Sequence, residues 1–330
     1  MRENHPDIKF GKTGVLLINL GTPDSTNWWD IRRYLKEFLS DTRVIEVNPV
    51  IWQIILNLFI LNFRPSKTAH AYKKIWLKET NESPLRYYTR NQAEKLQQEL
   101  VGENIIVNFA MRYGNPSIKS KLNELKKNGC ENIIILPLYP QYAAATTATV
   151  CDEVYRTLMK MRWQPSLQIV PHYESAPLYV SALVKSIEKK IETISWKPDL
   201  IIASYHGIPK KYFDKGDPYH CYCHKTTRLI KEKFSKIEIQ TTFQSRFGPQ
   251  EWLTPYTDKT LESLSAKGIK NLLVICPGFA SDCVETLEEI NILGRETFLK
   301  NGGEKFDFIP CLNDSSEHIK LFENLVKKYL

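Results

Sequence analysis

The stretch SYHGIPKKYFDKGDPYHCYCHK, residues 204–225, offers metal ligands at both of its ends. It closes on His220, Cys221, Cys223 and His224 and opens on His206, directly after an apolar run. His-Cys-x-Cys-His is too crowded to enclose one tetrahedral ion in regular structure. Zinc sites usually draw two ligand pairs from separate segments, and no second pair stands nearby. The spacing instead predicts a turn and a helix start after KGDP. His206 precedes Gly207 and Pro209, so a Gly-x-Pro turn holds it at a strand end. An imidazole there suits metal binding and proton transfer near neutral pH; the plainer alternative is a histidine hydrogen-bonded into its own turn.

A second chemical stretch is CPGFASDCVETLEEI, residues 276–290. On a helix, Asp282, Glu285 and Glu289 fall at i, i+3 and i+7, on one face, with Glu288 beside them. Such a line of carboxylates can pass cations or protons. The competing reading is an Asp-x-x-Glu capping box. One histidine and a few carboxylates from separate strand ends make a sparse N/O set, suited to a divalent ion held loosely.

These residues need strands to present them. Apolar runs recur at GVLLINL (from Gly14), NIIVNFAM (Asn104), NIIILPLY (Asn132), LQIVPHY (Leu167), DLIIASYH (Asp199), KIEIQTTF (Lys236), NLLVICPGF (Asn271) and FDFIPCL (Phe306), with amphipathic stretches between them. Runs without alternation suit strands buried on both faces of a parallel sheet. The halves also match. SIKSKLNELKKNGCENIIILPLY from Ser117 aligns with YTDKTLESLSAKGIKNLLVICPG from Tyr256, and LLINLGTP echoes IIASYHGIP. The expected fold is therefore α/β, with two similar Rossmann-like lobes, residues 1–165 and 166–330, and a ligand cleft between them. Ligands in such folds sit at the carboxyl ends of the strands.

The first lobe carries an insertion over about residues 25–90 that includes NPVIWQIILNLFILNF, residues 48–63. This run is too short and too interrupted to span a bilayer. It reads either as a buried helix or as an apolar lip beside a hydrophobic ligand or membrane surface.

Composition sets outer bounds. With 42% hydrophobic and 25% charged residues the chain is globular in character. Its net charge of +8 is scattered, with no basic block, so nucleic acid is not an expected partner. MRENHPDIKFGK lacks a signal-peptide core. Seven cysteines, an odd number spread along the chain, do not read as a disulfide framework. The expected compartment is a reducing cytoplasm.

Taken together, FLSDTRVIE, MRYGNPSI, LPLYPQYAAATTAT, SYHGIPKKYFDKGDPYHCYCHKTTRLI, TTFQSRFGPQEWLTPYTDKTL and CPGFASDCVETLEEI resemble the ferrochelatase family, most closely its proteobacterial members. The resemblance spans nearly the whole chain. It implies a lyase that inserts Fe²⁺ into protoporphyrin IX to give protohaem, with release of two protons. The nearest alternatives are coproporphyrin III or another tetrapyrrole as substrate, or a tetrapyrrole carrier without catalysis. Carried over by motif, the active-site histidine falls on His206 and the glutamate on Glu285, both catalytic and metal-binding, with Asp282 and Glu289 as relay. Porphyrin-binding positions fall on Leu20, Arg112, Tyr113, Gln141, Tyr142, Trp252 and Phe279. The greasy insertion falls on the active-site lip, which implies peripheral contact with the inner membrane. Many members have histidine where Cys283 stands here. Iron is a substrate, no further cofactor is expected, and the last cysteine, Cys311, leaves too few thiolates downstream for an iron–sulfur cluster.

Overall fold

The apolar runs become strands in two separate parallel sheets. In the computed structural model, which describes residues 8–100 and 104–330, the first sheet contains β1 (Lys12–Thr22), β2 (Ile105–Gly114), β3 (Cys130–Pro137) and β4 (Ser166–Ile169), ordered β2-β1-β3-β4. The second contains β5 (Leu200–His206), β6 (Ile239–Gln244), β7 (Asn271–Ile275) and β8 (Lys305–Ile309), ordered β6-β5-β7-β8. Every pairing of these strands is parallel. Helices cover both faces, so Val15 to Ile18 and Ile201 to Ala203 are wholly buried. That double cover is why the runs show no polar alternation.

The second sheet repeats the strand order of the first, as an internal duplication requires. Gly129 and Gly268, 139 residues apart, both stand just before the third strand of their sheet with left-handed backbone, φ 97° and 88°. A Cβ is disfavoured there, so both copies keep glycine. The division between lobes falls later than residue 165. β4 pairs with β3 from Asn132↔Ser166 to Ile135↔Ile169, and so belongs to the first sheet. An apolar run announces a strand, but its pattern does not choose the sheet it joins. The N-terminal reading falls mostly on residues 1–7, outside the described residues.

The insertion folds as α1 (Trp28–Leu39), α2 (Pro49–Ile55), a π-helical turn (Leu56–Ile60) and α3 (Leu61–Ile75), before α4 (Pro84–Glu99). Asn48 starts α2: its side-chain oxygen accepts from the Val50 N–H at 3.1 Å, and Pro49 follows. Trp52 Nε1 donates to the Leu39 carbonyl at 2.6 Å and ties α2 to α1. Leu56 and Leu61 are buried anchors, whereas Val50, Leu58 and Phe63 are 71%, 60% and 76% exposed. The greasy run is thus a lip held by one face, with its other face bare. No described helix is long and apolar enough to cross a membrane.

Candidate active site

The carboxyl ends of both sheets open on one cleft, formed by adjoining cavities of about 140 and 970 Å³. Both cavities are lined by Leu20 and His206, with Phe38, Val44, Pro209, Trp252 and Glu285. Leu20 comes from the end of β1 and His206 from the end of β5.

His206 is locked in place by its turn. The Gly207 N–H donates to the Gln244 carbonyl at 2.8 Å, which carries the β5–β6 ladder past the histidine. A side chain at Gly207 would meet that carbonyl at 2.9 Å and the Trp252 ring at 3.2 Å, so only glycine fits. His206 Nδ1 lies 2.7 Å from the Gly207 carbonyl oxygen. An oxygen there can only accept, so Nδ1 carries the proton. Nε2 is left with its lone pair, free to take a proton or a metal ion. The turn hydrogen bond and the chemical role are therefore compatible: one nitrogen serves each.

The carboxylates ride on a π-helical segment, Glu285–Gly294. Its i→i+5 ladder widens the turn, a feature that recurs at functional sites. Gln244 Nε2 donates to the Glu285 carbonyl at 2.8 Å and pins the segment to β6. Glu289 accepts from the Ser245 N–H at 2.8 Å and from the Ser245 hydroxyl. Burial pushes the Glu289 carboxyl above its ordinary range, against the pull of Ser245 and of His206. Glu288 is engaged by Lys74 at 3.0 Å. Tyr34 and Tyr72 lie close to Glu285, and burial raises both phenols so that they stay neutral.

Asp282 does not join this line. Its carboxylate accepts from Asn313 Nδ2 at 2.7 Å, the Thr286 hydroxyl at 3.0 Å and the Cys311 N–H at 3.3 Å. It lies outside both cavities, because the π-helical ladder begins after it and breaks the assumed helical spacing. The capping-box reading fails as well. The Asp282 N–H, which such a box would give to Glu285, goes to Asn313 Oδ1 at 2.8 Å.

The expected porphyrin positions divide. Leu20, Gln141, Trp252 and Phe279 line the cleft. Arg112, Tyr113 and Tyr142 do not line either cavity. Arg112 is buried in an ion pair with Asp41, and its Nε donates to the Thr149 carbonyl at 2.8 Å. Tyr113 donates to Asp41 at 2.9 Å and packs edge-on against Phe38, 5.1 Å between rings. Both support the wall from behind, because α1 and the loop after it cover the end of β2. Tyr142 turns toward Arg43 instead.

Sequence reasoning missed the cleft's mouth. Arg64 and Lys67, three residues apart on α3, line the wider cavity. Arg64 lies over the Phe247 ring at 4.4 Å, and desolvation lowers its pKa. Among the described residues neither cation has an ion-pair partner. Two unpaired cations one helical turn apart, directly after a greasy run, were the available signal.

The crowded ligands form part of a helix, Tyr219–Lys233, as expected. Cys221 is exposed and Cys223 fully buried, so the helix sends them to opposite sides. His220 and His224 sit one turn apart with ring centres 4.4 Å apart. Among the described residues, no three His, Cys, Asp or Glu side chains gather as a metal-holding group.

The family model described as ferrochelatase matches residues 12–330. The chain is 56% identical to the ferrochelatase of Allorhizobium ampelinum, covering 99% of this chain and 96% of that one. It is 55% identical to that of Rhizobium meliloti, covering 99% and 97%. Among solved structures it resembles SirB from Bacillus subtilis with Fe³⁺, at a TM-score of 0.59 and 10% identity over 96% of this chain and 95% of that one. It also resembles CbiX, the terminal enzyme for biosynthesis of sirohaem in denitrifying bacteria, at a TM-score of 0.54 and 12% identity over 96% and 99%. At those identities the structures speak for the two-lobed fold alone.

Proposed function

The chain belongs to the ferrochelatase family and is a lyase that inserts ferrous iron into a porphyrin; from that premise we propose that protoporphyrin IX is the substrate and that His206 and Glu285 exchange its protons for iron. The observation that carries this reading is that His206 and Glu285, from different elements, line both the narrower, largely apolar cavity and the wider one, which is rimmed by charged side chains.

A free-base porphyrin has two inner N–H groups, and both protons must leave as Fe²⁺ takes the four nitrogens. His206 Nε2 accepts one of them. For this its free lone pair must lie within hydrogen-bond reach of the ring centre. Glu285 and, behind it, Glu289 carry positive charge between the ring and solvent. Burial raises the Glu289 carboxyl above its ordinary range, which makes it easier to protonate than an exposed glutamate and suits it to take up and release a proton on that path. Neither side chain belongs to a closed metal cage, so iron is passed on rather than kept.

The cleft also supports a choice of porphyrin. Protoporphyrin IX bears its two propionates on one edge and methyl and vinyl groups on the other. Arg64 and Lys67 at the mouth suit the anionic edge, while Leu20, Phe38 and Val44 suit the apolar one. Coproporphyrin III has a propionate on every pyrrole ring and would press carboxylates against those apolar side chains, which is costly without partners. The exposed lip supports peripheral docking on a membrane surface, from which a greasy ring can enter.

Anaerobic assay with Fe²⁺ and each porphyrin tests the choice by absorbance of the product. Protohaem should form at least about tenfold faster than coprohaem, a barrier difference of about 1.4 kcal/mol. Preferential turnover of coproporphyrin III would overturn the substrate assignment.

A further inference from the structure

The start of the segment that carries Glu285 is held by residues that lie outside both cavities of the cleft. Asp282 and Asn313 make a reciprocal pair: Asn313 Nδ2 donates to Asp282 Oδ2 at 2.7 Å, and the Asp282 N–H donates to Asn313 Oδ1 at 2.8 Å. The other Asp282 oxygen accepts from the Thr286 hydroxyl at 3.0 Å, so the first turn of the π-helical segment hangs from this carboxylate. Asn313 takes a left-handed backbone, φ 46°, which asparagine tolerates better than most side chains.

The pair is then clamped from the other lobe. Gln92, wholly buried on α4, donates through Nε2 to the Asn313 carbonyl at 2.8 Å, the Ala280 carbonyl at 3.1 Å and the Ser281 hydroxyl at 3.1 Å. Three residues earlier on the same helix, the Thr89 hydroxyl accepts from Asn19 Nδ2 at 3.0 Å. Asn19 lines the cleft beside Leu20. Residues three apart share a helix face. One face of α4 therefore fixes both the β1 wall and the start of the acidic segment.

We infer that Gln92, Asn313 and Asp282 are positioning residues for iron insertion: they set where Glu285 stands relative to the porphyrin wall of the first lobe. The inference rests on the role given to Glu285 above. None of the three lines the cleft, so their loss acts on geometry and not on porphyrin contact. A misplacement of about 1 Å at a reacting group costs on the order of a hundredfold in rate.

The test uses the full chain. Asn313→Gly removes the side chain while permitting the left-handed backbone. Turnover should fall about tenfold to a hundredfold, with the Kd for protoporphyrin, read by fluorescence quenching, unchanged within about twofold. Asp282→Asn must turn its one Nδ2 toward either Asn313 Nδ2 or the Cys311 N–H, and Asn313→Asp sets two carboxylates face to face; both should be poor. The reciprocal double variant Asp282→Asn/Asn313→Asp restores a donor opposite an acceptor and should regain most of the turnover. Gln92→Met, which leaves the reciprocal pair intact, should show the same split with a smaller loss, and serves if the Asn313 variants do not fold. Wild-type turnover in Asn313→Gly, a parallel fall in porphyrin affinity, or a double variant no better than its parents would overturn the inference. Glu285→Gln run alongside separates the two claims. If it is inert while Asn313→Gly is active, only the positioning network is wrong; if it is active, the role of Glu285 itself has failed.

Discussion

The two lobes are copies that do different work. Leu20 and His206 hold the same place in each, the residue before a strand-end glycine, and both line the cleft. After the third strand each copy winds into a π-helical turn, Ala144–Ala148 in the first and Glu285–Gly294 in the second. The first of these turns, AATTA, holds no ionisable side chain, whereas the second opens on Glu285. The first copy thus has leucine where the second has histidine, and a turn without carboxylates where the second has glutamates. The fold supplies equivalent strand-end positions in both copies. In the proposed mechanism the first copy supplies wall residues only, and the second adds the bases to its own wall residues Trp252 and Phe279.

That division breaks if chemistry survives loss of the second copy's groups. Glu285→Gln keeps size and hydrogen bonding but removes the charge. It should lower turnover by about a hundredfold or more while the melting temperature holds. Turnover within about threefold of wild type, less than 1 kcal/mol of barrier, would make Glu285 structural.

The next effect sharpens the first copy's role as wall and doorway. Ile54 and Leu58 are exposed on the lip. Replacing both with serine should weaken liposome binding and porphyrin uptake several-fold while costing no more than about 0.5 kcal/mol of stability. A steep loss of stability with unaltered uptake would return the lip to the core.

A smaller, pH-dependent effect concerns Glu289. Its carboxyl is raised by burial. The folded state therefore favours the protonated form, whose stabilising contribution is complete below the unfolded carboxyl's value of about 4.3. That contribution is lost as pH climbs through the raised value. Glu289→Gln should accordingly melt higher than wild type at pH 8 and close to it near pH 4. Equal melting temperatures at both pH values would show that burial does not strain this group.

The smallest effect is expected from the crowded ligands. In Cys221→Ser/Cys223→Ala, turnover per folded molecule should stay within about twofold of wild type, although loss of the buried Cys223 thiol should cost on the order of 1 kcal/mol. Loss of a stoichiometric metal together with activity would show that the helix Tyr219–Lys233 binds one.

Much of this was legible in the sequence because it depended on local chemistry. The unbroken apolar runs gave the parallel strands, and the Gly-x-Pro turn after a strand gave the position of His206. The illegible parts depend on what a residue meets across space. Asp282 shares a sequence stretch with Glu285, yet Asn313, 31 residues on, takes its carboxylate away from the cleft. Arg112 lies near the carboxyl end of β2 as His206 lies at that of β5, but Asp41 buries it behind the wall. β4 reads as a strand, but only its pairing with β3 assigns it to the first lobe.

The most direct test of the division of labour makes the two strand ends alike. His206→Leu gives the second copy the residue that the first has at Leu20. Porphyrin binding and the rate of Fe²⁺ insertion are then measured on the same folded sample. The account predicts protoporphyrin affinity within about twofold of wild type and turnover reduced by about 10²- to 10⁴-fold, the scale of a lost general base. Protohaem formed at close to the wild-type rate by His206→Leu would contradict it.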